Sequence, residues 1–536
     1  MSKVLILKKI LAFSLVALCG LLLGQLLVKS FSKLTLTDFH VYYYVTRAVF
    51  LYKTHPYSNF VPIYPYFFPP ASLLIFWPLI SASFFVSKIV FTFLNTILLM
   101  GSIYLISKIF FGKVIFYSWI MFFLSLVFYP LRFTFSDGQF NVVMLFVYTL
   151  GLYALFKKKP LAGGIGLGIG VVTKISPALI ILYALFRKNF KLVFISGLTV
   201  LLLSQLSEHF VGKDINYYYK EFVINKVSSQ SAPFSWTDQS FLAMVKSVSY
   251  SQKLTINSNT KSIISYSFVA LLLLIFMIID MRFKKGKFNL SIDYFILTTI
   301  GVLGTGLTWF HQYTILLLPL FGTGILCFTK LDKKMKGIRF GYLLGLVLVY
   351  ALWFLNMKSS TLISGYLLFN MLYGGVLLLV GLFILKAHQN WLIEDESKVK
   401  SLAMDKYLIP LFLTFLIVGL CPWSLSQNLK QGRDLARIEA INYMSGVLKS
   451  SDAVFKIGES DSYTLSNRAG KGYILFGKNE QNKVLGKMSI LFLDPVNNSK
   501  YKYIFSSSNG VNFELKARLE SRKYIENYGD LYSVIW

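Results

Sequence analysis

Residues 157–188 read KKKPLAGGIGLGIGVVTKISPALIILYALFRK. Two apolar stretches, 161–173 and 176–186, lie between Lys157-Lys158-Lys159 and Arg187-Lys188, with a single Lys174 between them. A helix needs about 20 apolar residues to cross a bilayer, so neither half spans comfortably alone. The stretch reads as a hairpin of short helices, based on the basic side and tipped by Lys174. The glycines of the first half (Gly163, Gly164, Gly166, Gly168, Gly170) suit close helix packing. They are not a phosphate loop, because the strand–turn–helix context of a nucleotide site is missing.

The same grammar of apolar runs punctuated by basic clusters extends over most of the 536 residues. The chain is 55% hydrophobic, 17% aromatic and only 15% charged, with a mean hydropathy of +0.60. That composition is not that of a soluble domain; it is that of a polytopic membrane protein. The net charge of +30 raises the question of nucleic acid. Much of it sits in short clusters between apolar runs, which is the positive-inside pattern, so no nucleic-acid partner is expected. Cys19, Cys327 and Cys421 lie in or beside apolar runs and at no metal-ligand spacing. The N-terminus has a basic start and a long apolar run without an A-x-A site, and is expected to be a retained span.

Lysine and arginine bias gives the threading. Spans are expected at 10–28, 84–107, 114–131, 139–156, 192–206, 263–281, 292–308, 313–328, 340–356, 362–385 and 407–423. With the short hairpin this makes about 11–13 crossings. Residues 69–81, opened by a proline pair, are expected as a surface or partly inserted helix. After Pro422 the chain turns polar. Residues 425–536 are expected to form a small soluble α/β domain on the outer face, with an amphipathic helix (428–450) and strands around "AVFKI", "YILF", "MSILFLD" and "YKYIF". Residues 1–424 form the membrane domain.

This threading puts an unusual polar set on one face, the outer one: Asp38, His40, the strip 64–70, Asp137, Gln139, Asn141, Asp238, Gln239 and His311. A transport pathway would place ionisable groups at mid-membrane; a set gathered at one face points to a surface-lying active site. Each residue also has a plainer reading. Asp38 can cap the helix 38–53, although Thr37 is the better N-cap. Lys174 can snorkel. His311 can be an interfacial histidine beside Trp309, and Tyr42, Tyr43 and Tyr44 read as an aromatic belt.

In order along the chain, "TDFHVYYYVTRAVFLYKTHPY" (37–57), "YPYFFPPASLLIFWPL" (64–79), "GQFN" (138–141), "LAGGIGLGIGVVTKISPALIILYAL" (161–185), "DQS" (238–240) and "TWFHQYTILLLPL" (308–320) resemble the polytopic GT-C glycosyltransferases. The resemblance is specifically to glycosyltransferase family 87, whose members include polyprenol-phosphate-mannose-dependent mannosyltransferases. It covers roughly residues 1–330. Asp238 departs from the more usual "NQS", and the 425–536 domain is an addition.

The resemblance implies an all-α GT-C fold and transfer of a hexose, mannose at the family level, from a polyprenyl-phosphate donor to an outer-leaflet lipid, glycan or protein acceptor, with inversion. Asp38 matches the acidic residue of the first outer loop and is the expected base, with His311 its rival or a donor to the phosphate. Lys174 is the expected phosphate ligand, then Arg47. His40, Tyr64, Asp137, Gln139, Asp238 and Gln239 complete the expected substrate site. No cofactor is required; a divalent cation on Asp38, Asp137 and Asp238 stays open. The rival classes are a lipid-linked glycan flippase and a membrane O-acyltransferase.

Overall fold

The computed structural model describes the chain outside residues 1–2, 34–37, 53–55, 58–65, 113–115, 225–237, 253–256, 284–287, 306–307, 331–339, 342–343, 346, 349–368, 390–391, 393–404, 421, 451–461, 465–472, 479–483, 490–502, 508–512, 529 and 536. Tyr64, Cys421, the strand expected at "AVFKI" and most of the span expected at 340–356 lie outside the described residues.

The described chain is a multi-pass helical bundle. It opens with α1 (Lys3–Ser32), α2 (Asp38–Tyr52), the short helical run α3 (Pro70–Ser81) and α4 (Phe84–Phe111). A bent pair follows, α5 (Phe116–Val127) and α6 (Tyr129–Asp137), then α7 (Asn141–Phe156), α8 (Pro160–Thr173), α9 (Ala178–Phe186) and α10 (Phe190–Val211). Next come α11 (Phe241–Ser251), α12 (Ser258–Arg282), α13 (Asn289–Leu303), α14 (Phe310–Lys330), α15 (Asn370–Ala387), α16 (Asp405–Leu420) and α17 (Pro422–Ser450). Among the described residues six helices are long and apolar enough to cross a membrane, or seven if the bent pair counts as one span. The polytopic all-helical architecture expected for the membrane part is the one observed.

Local chemistry sets the boundaries. Ser83 caps α4 by accepting from the Val86 N–H at 3.4 Å, and Gly112 ends it at φ +72°. The expected hairpin is present as α8 and α9, broken at Lys174 before Pro177. Gly168 lets α8 pack against α10: a Cβ there would lie 2.6 Å from Thr199 Cβ. The expected span 114–131 needs correction. It is two helices bent by 67°, because Phe128 is extended (φ −70°, ψ 117°) and Pro130 lacks the amide a straight helix would use. Phe186, Phe194 and Met281 are 80%, 70% and 64% exposed, a degree that suits hydrocarbon rather than water. Inside, where lipid and protein are equally apolar, packing and hydrogen bonds hold the helices. Thr92 and Thr96 donate back to Lys88 and Thr92 carbonyls at 2.8 and 3.0 Å.

The helix expected at 428–450 begins earlier, at Pro422, so the boundary drawn at 424/425 falls in its first turn. Beyond it lie β1 (Ser462–Thr464), β2 (Tyr473–Lys478), β3 (Val484–Ser489), β4 (Tyr503–Ser507), β5 (Phe513–Arg518), α18 (Arg522–Tyr528) and β6 (Leu531–Ile535). The strands form a sheet of order β1-β4-β5-β6 and a separate β2-β3 hairpin, all antiparallel. Strands β1, β5 and β6 had no counterpart in the sequence reading. Arg433 of α17 donates bidentately to Glu520 at 2.9 and 2.6 Å, tying the end of β5 to the helix.

Candidate active site

Four segments remote in sequence meet at one end of the bundle. The first is the N-terminus of α2. Asp38 opens the helix, and Phe39 behind it is fully buried. The second is the turn after α6, where Asp137 is followed by Gly138 at φ +67°. A Cβ on Gly138 would lie 2.5 Å from Phe39 Cβ, so only glycine lets the turn close against α2. The third is the α8–α9 break at Lys174. The fourth is the start of α14, seven residues of 3-10 helix from Phe310 to Leu316 that carry His311.

Charge coupling shows how closely these approach. Asp38 senses Asp137, Lys174 and Lys33. His311 senses Lys174. Lys33 forms an ion pair with Asp137, and Ser136 Oγ donates to the same carboxylate at 3.2 Å. Lys174 Nζ donates to Asn141 Oδ1 at 2.7 Å and lies 5.8 Å from the centre of the Phe68 ring. Tyr42 donates to Gln139 Oε1 at 2.9 Å. Burial, then the Asp137 charge, raises the Asp38 carboxyl to about 7, against the pull of Lys174 and Lys33. Burial lowers the Lys174 ammonium to about 7, opposed by Asp38. A buried carboxyl pushed up and a buried amine pushed down, each within electrostatic reach of the other, suit proton and anion chemistry.

His311 is 3% exposed. Its ring lies parallel to Phe133 (interplanar angle 3°, centroids 6.0 Å apart) and edge-on to Trp309 at 5.4 Å. Neither ring nitrogen has a hydrogen-bond partner among the described residues, and the same holds for Asn141 Nδ2 and Gln139 Nε2. Buried polar groups are usually paired. Here several unpaired donors collect around one lysine and one carboxylate.

Other expected site residues stand differently. His40 is 5% exposed and packs edge-on to Tyr44 and Phe84 at 4.5 and 5.3 Å. Burial lowers its imidazole to about 3, aided by Lys88, so it is neutral. Arg47 donates to Tyr43 OH at 3.1 Å, one turn back on its own helix. Tyr42, Tyr43 and Tyr44 are not an interfacial belt, and that expectation is corrected: at 1%, 1% and 7% exposed they are core. Tyr42 stacks on Phe76 at 4.8 Å, within a cluster that includes Phe39, Phe91, Phe140 and Ala436 of α17. Asp238 and Gln239 are buried against the segment that carries His311. The described residues contain no group of three or more His, Cys, Asp or Glu suited to a metal ion.

Sequence reading missed Lys33 and Lys88. Lys88 is fully buried in α4, where its amine donates to the Lys33 and Ser136 carbonyls, the latter at 3.3 Å. It holds together the two chain segments that carry the Lys33–Asp137 pair. The signal was present in "FFVSKIVFTF": a lysine inside an apolar run must find partners.

A crystal structure of ArnT from Cupriavidus metallidurans bound to undecaprenyl phosphate is similar at 11% identity and a TM-score of 0.35, covering 72% of this chain and 78% of that one. A likeness this loose places no residue. No curated protein gives a significant match. The sequence model of glycosyltransferase family 87 matches residues 66–306, which include Asp137, Gln139, Lys174 and Asp238.

Proposed function

We propose that this protein transfers a hexose, with mannose the first candidate, from a polyprenyl-phosphate sugar to a lipid, glycan or protein acceptor at the outer leaflet of the cell membrane, as a GT-C-type enzyme. The observation that carries the reading is the meeting of Asp38, Asp137, Lys174 and His311, from four remote segments, at one end of the bundle. The family match supplies the reaction class. The outer-face assignment rests on the lysine and arginine bias. The same bias places residues 425–536 outside, and Ala436 of α17 packs into the α2 cluster beside the site.

In this mechanism the Asp38 carboxylate takes the proton of the acceptor hydroxyl. The hydroxyl oxygen bonds to the anomeric carbon as the bond from that carbon to the phosphate oxygen breaks. The electron pair leaves with the phosphate, and Lys174 steadies the developing charge. One displacement inverts the anomeric centre. A carboxyl with a pKa of about 7 is both substantially ionised and usefully basic at neutral pH. His311 closes the site opposite Asp38, where its unpaired nitrogens can reach substrate.

The test is transfer by purified protein from a panel of polyprenyl-phosphate sugars, with mass detection of product. One sugar should be used, and Asp38→Asn should cut turnover by about 10²–10⁴-fold. Sealed vesicles of both orientations report the face in the same assay. Movement of intact lipid-linked glycan without bond cleavage would make the protein a flippase and refute the proposal.

A further inference from the structure

Resting on the reading of His311 as a site residue, we propose that Asp238 and Gln239 are positioning residues: they fix the segment that carries His311 and do not touch the sugar or the phosphate. Asp238 Oδ1 accepts from the Ser240 N–H at 3.0 Å and from the Thr308 N–H at 3.3 Å. The Asp238 backbone pairs with Trp309 as an antiparallel bridge. Gln239 N–H donates to the Thr308 carbonyl at 2.6 Å, and Tyr313 OH donates to the Gln239 carbonyl at 3.1 Å. Gln239 Oε1 accepts from the Met371 N–H at 3.2 Å, at the start of α15. These contacts bracket His311, fixing Thr308 and Trp309 before it and Tyr313 after it. From the other side Thr134 Oγ1 donates to the His311 carbonyl at 3.3 Å.

This bracing answers a physical need. The imidazole has no hydrogen bond of its own to a described residue, so its position is set by ring packing and by its backbone. A misplacement of about 1 Å can cost on the order of 10²-fold in rate. The partners of Asp238 Oδ1 are two backbone amides, and an amide oxygen can serve them as a carboxylate does. Lys246 on α11 feels the Asp238 charge, but it lies on the helix that Ser240 caps and not on the His311 segment. The structure therefore assigns Asp238 a role as acceptor of the Ser240 and Thr308 amides, a role that an amide oxygen fills and that a substrate or cation ligand would not share.

Two readouts on full-length protein in nanodiscs test the idea. Turnover is measured for Asp238→Ala and Asp238→Asn. The rate at which diethyl pyrocarbonate modifies His311 is followed by mass spectrometry. The expected result is that Asp238→Ala loses turnover by an order of magnitude or more while His311 becomes reactive. Asp238→Asn should rescue both, because it keeps the oxygen acceptor. Loss of turnover in both variants with His311 as protected as in wild type would overturn the proposal and make Asp238 a ligand. If Asp238→Ala does not fold, Asp238→Asn decides alone: rescue supports the role and loss refutes it. Should wild type transfer no sugar at all, the glycosyltransferase reading falls. The His311 modification rates still decide whether Asp238 positions that segment.

Discussion

The two ends of helix α13 solve opposite problems. At its start, Asp293 is fully buried and accepts from Tyr183 OH at 2.7 Å and from Arg187 at 2.5 Å. Lys386, also fully buried, donates to Asp293 and Asn289, and to Asp280 at 2.9 Å. Arg187 reaches the same Asp280 at 2.9 Å. Two cations and two carboxylates close on one another and pin the ends of α9, α12, α13 and α15. Past the other end of α13 lies His311, with Asp38, Asp137, Lys33, Lys88 and Lys174 around it. There the nitrogens of His311, Asn141 Nδ2 and Gln139 Nε2 have no hydrogen-bond partner among the described residues. A closed network holds helices together, and an unsaturated one can accept a ligand. Buried charge alone does not mark an active site.

The contrast is sharpened by breaking each end in turn. Lys386→Met should give the largest loss of stability, about 3–5 kcal/mol, because it removes the buried cation from the fully buried Asp293 carboxylate. It should appear as a lower Tm in detergent, and the protein that remains folded should keep its donor KM. A wild-type Tm would mean the closed network does not hold the helices. Lys174→Ala should do the reverse. Its fold should survive, because its partner Asn141 is neutral. Loss of one charged hydrogen bond to phosphate should cost about 1.5–3 kcal/mol in donor kcat/KM. An unchanged donor KM with normal turnover would leave Lys174 as a snorkelling anchor.

Much of the membrane architecture was legible in the sequence because hydropathy and charge are local properties. The first span, α4 and the α8–α9 break can be read from runs and their basic ends. The bend at Phe128 was legible in principle, since Pro130 sits inside the apolar run. The gathering of Asp38, Asp137, Gln139 and His311 at one end follows from threading, since each lies where an apolar run stops on the same side, and Lys174 joins them only if the two short apolar halves are read as a hairpin. Their contacts do not follow. Whether Tyr42 faces lipid or Gln139 depends on how α2 packs, and no periodicity in "VYYYV" decides that. The bracing by Asp238 and Gln239 is likewise tertiary. "SWTDQS" looks like any polar loop until Thr308 is found beside it. Lys88 is different: its sequence already required a partner, and only the partner was hidden.

The sign of the pH dependence follows from Asp38. Its folded-state pKa, about 7 against an ordinary 3.8, favours the protonated form. The group therefore costs stability as pH rises through that interval, while over the same interval it gains the charge a base needs. The most direct measurement is kcat/KM for sugar transfer as a function of pH in wild type and Asp38→Asn, since that ratio reports groups of the free enzyme. The expected wild-type profile has an acidic limb near pH 7 that is absent from the residual activity of Asp38→Asn. An unaltered acidic limb in Asp38→Asn, with turnover close to wild type, would contradict the account and place the base elsewhere.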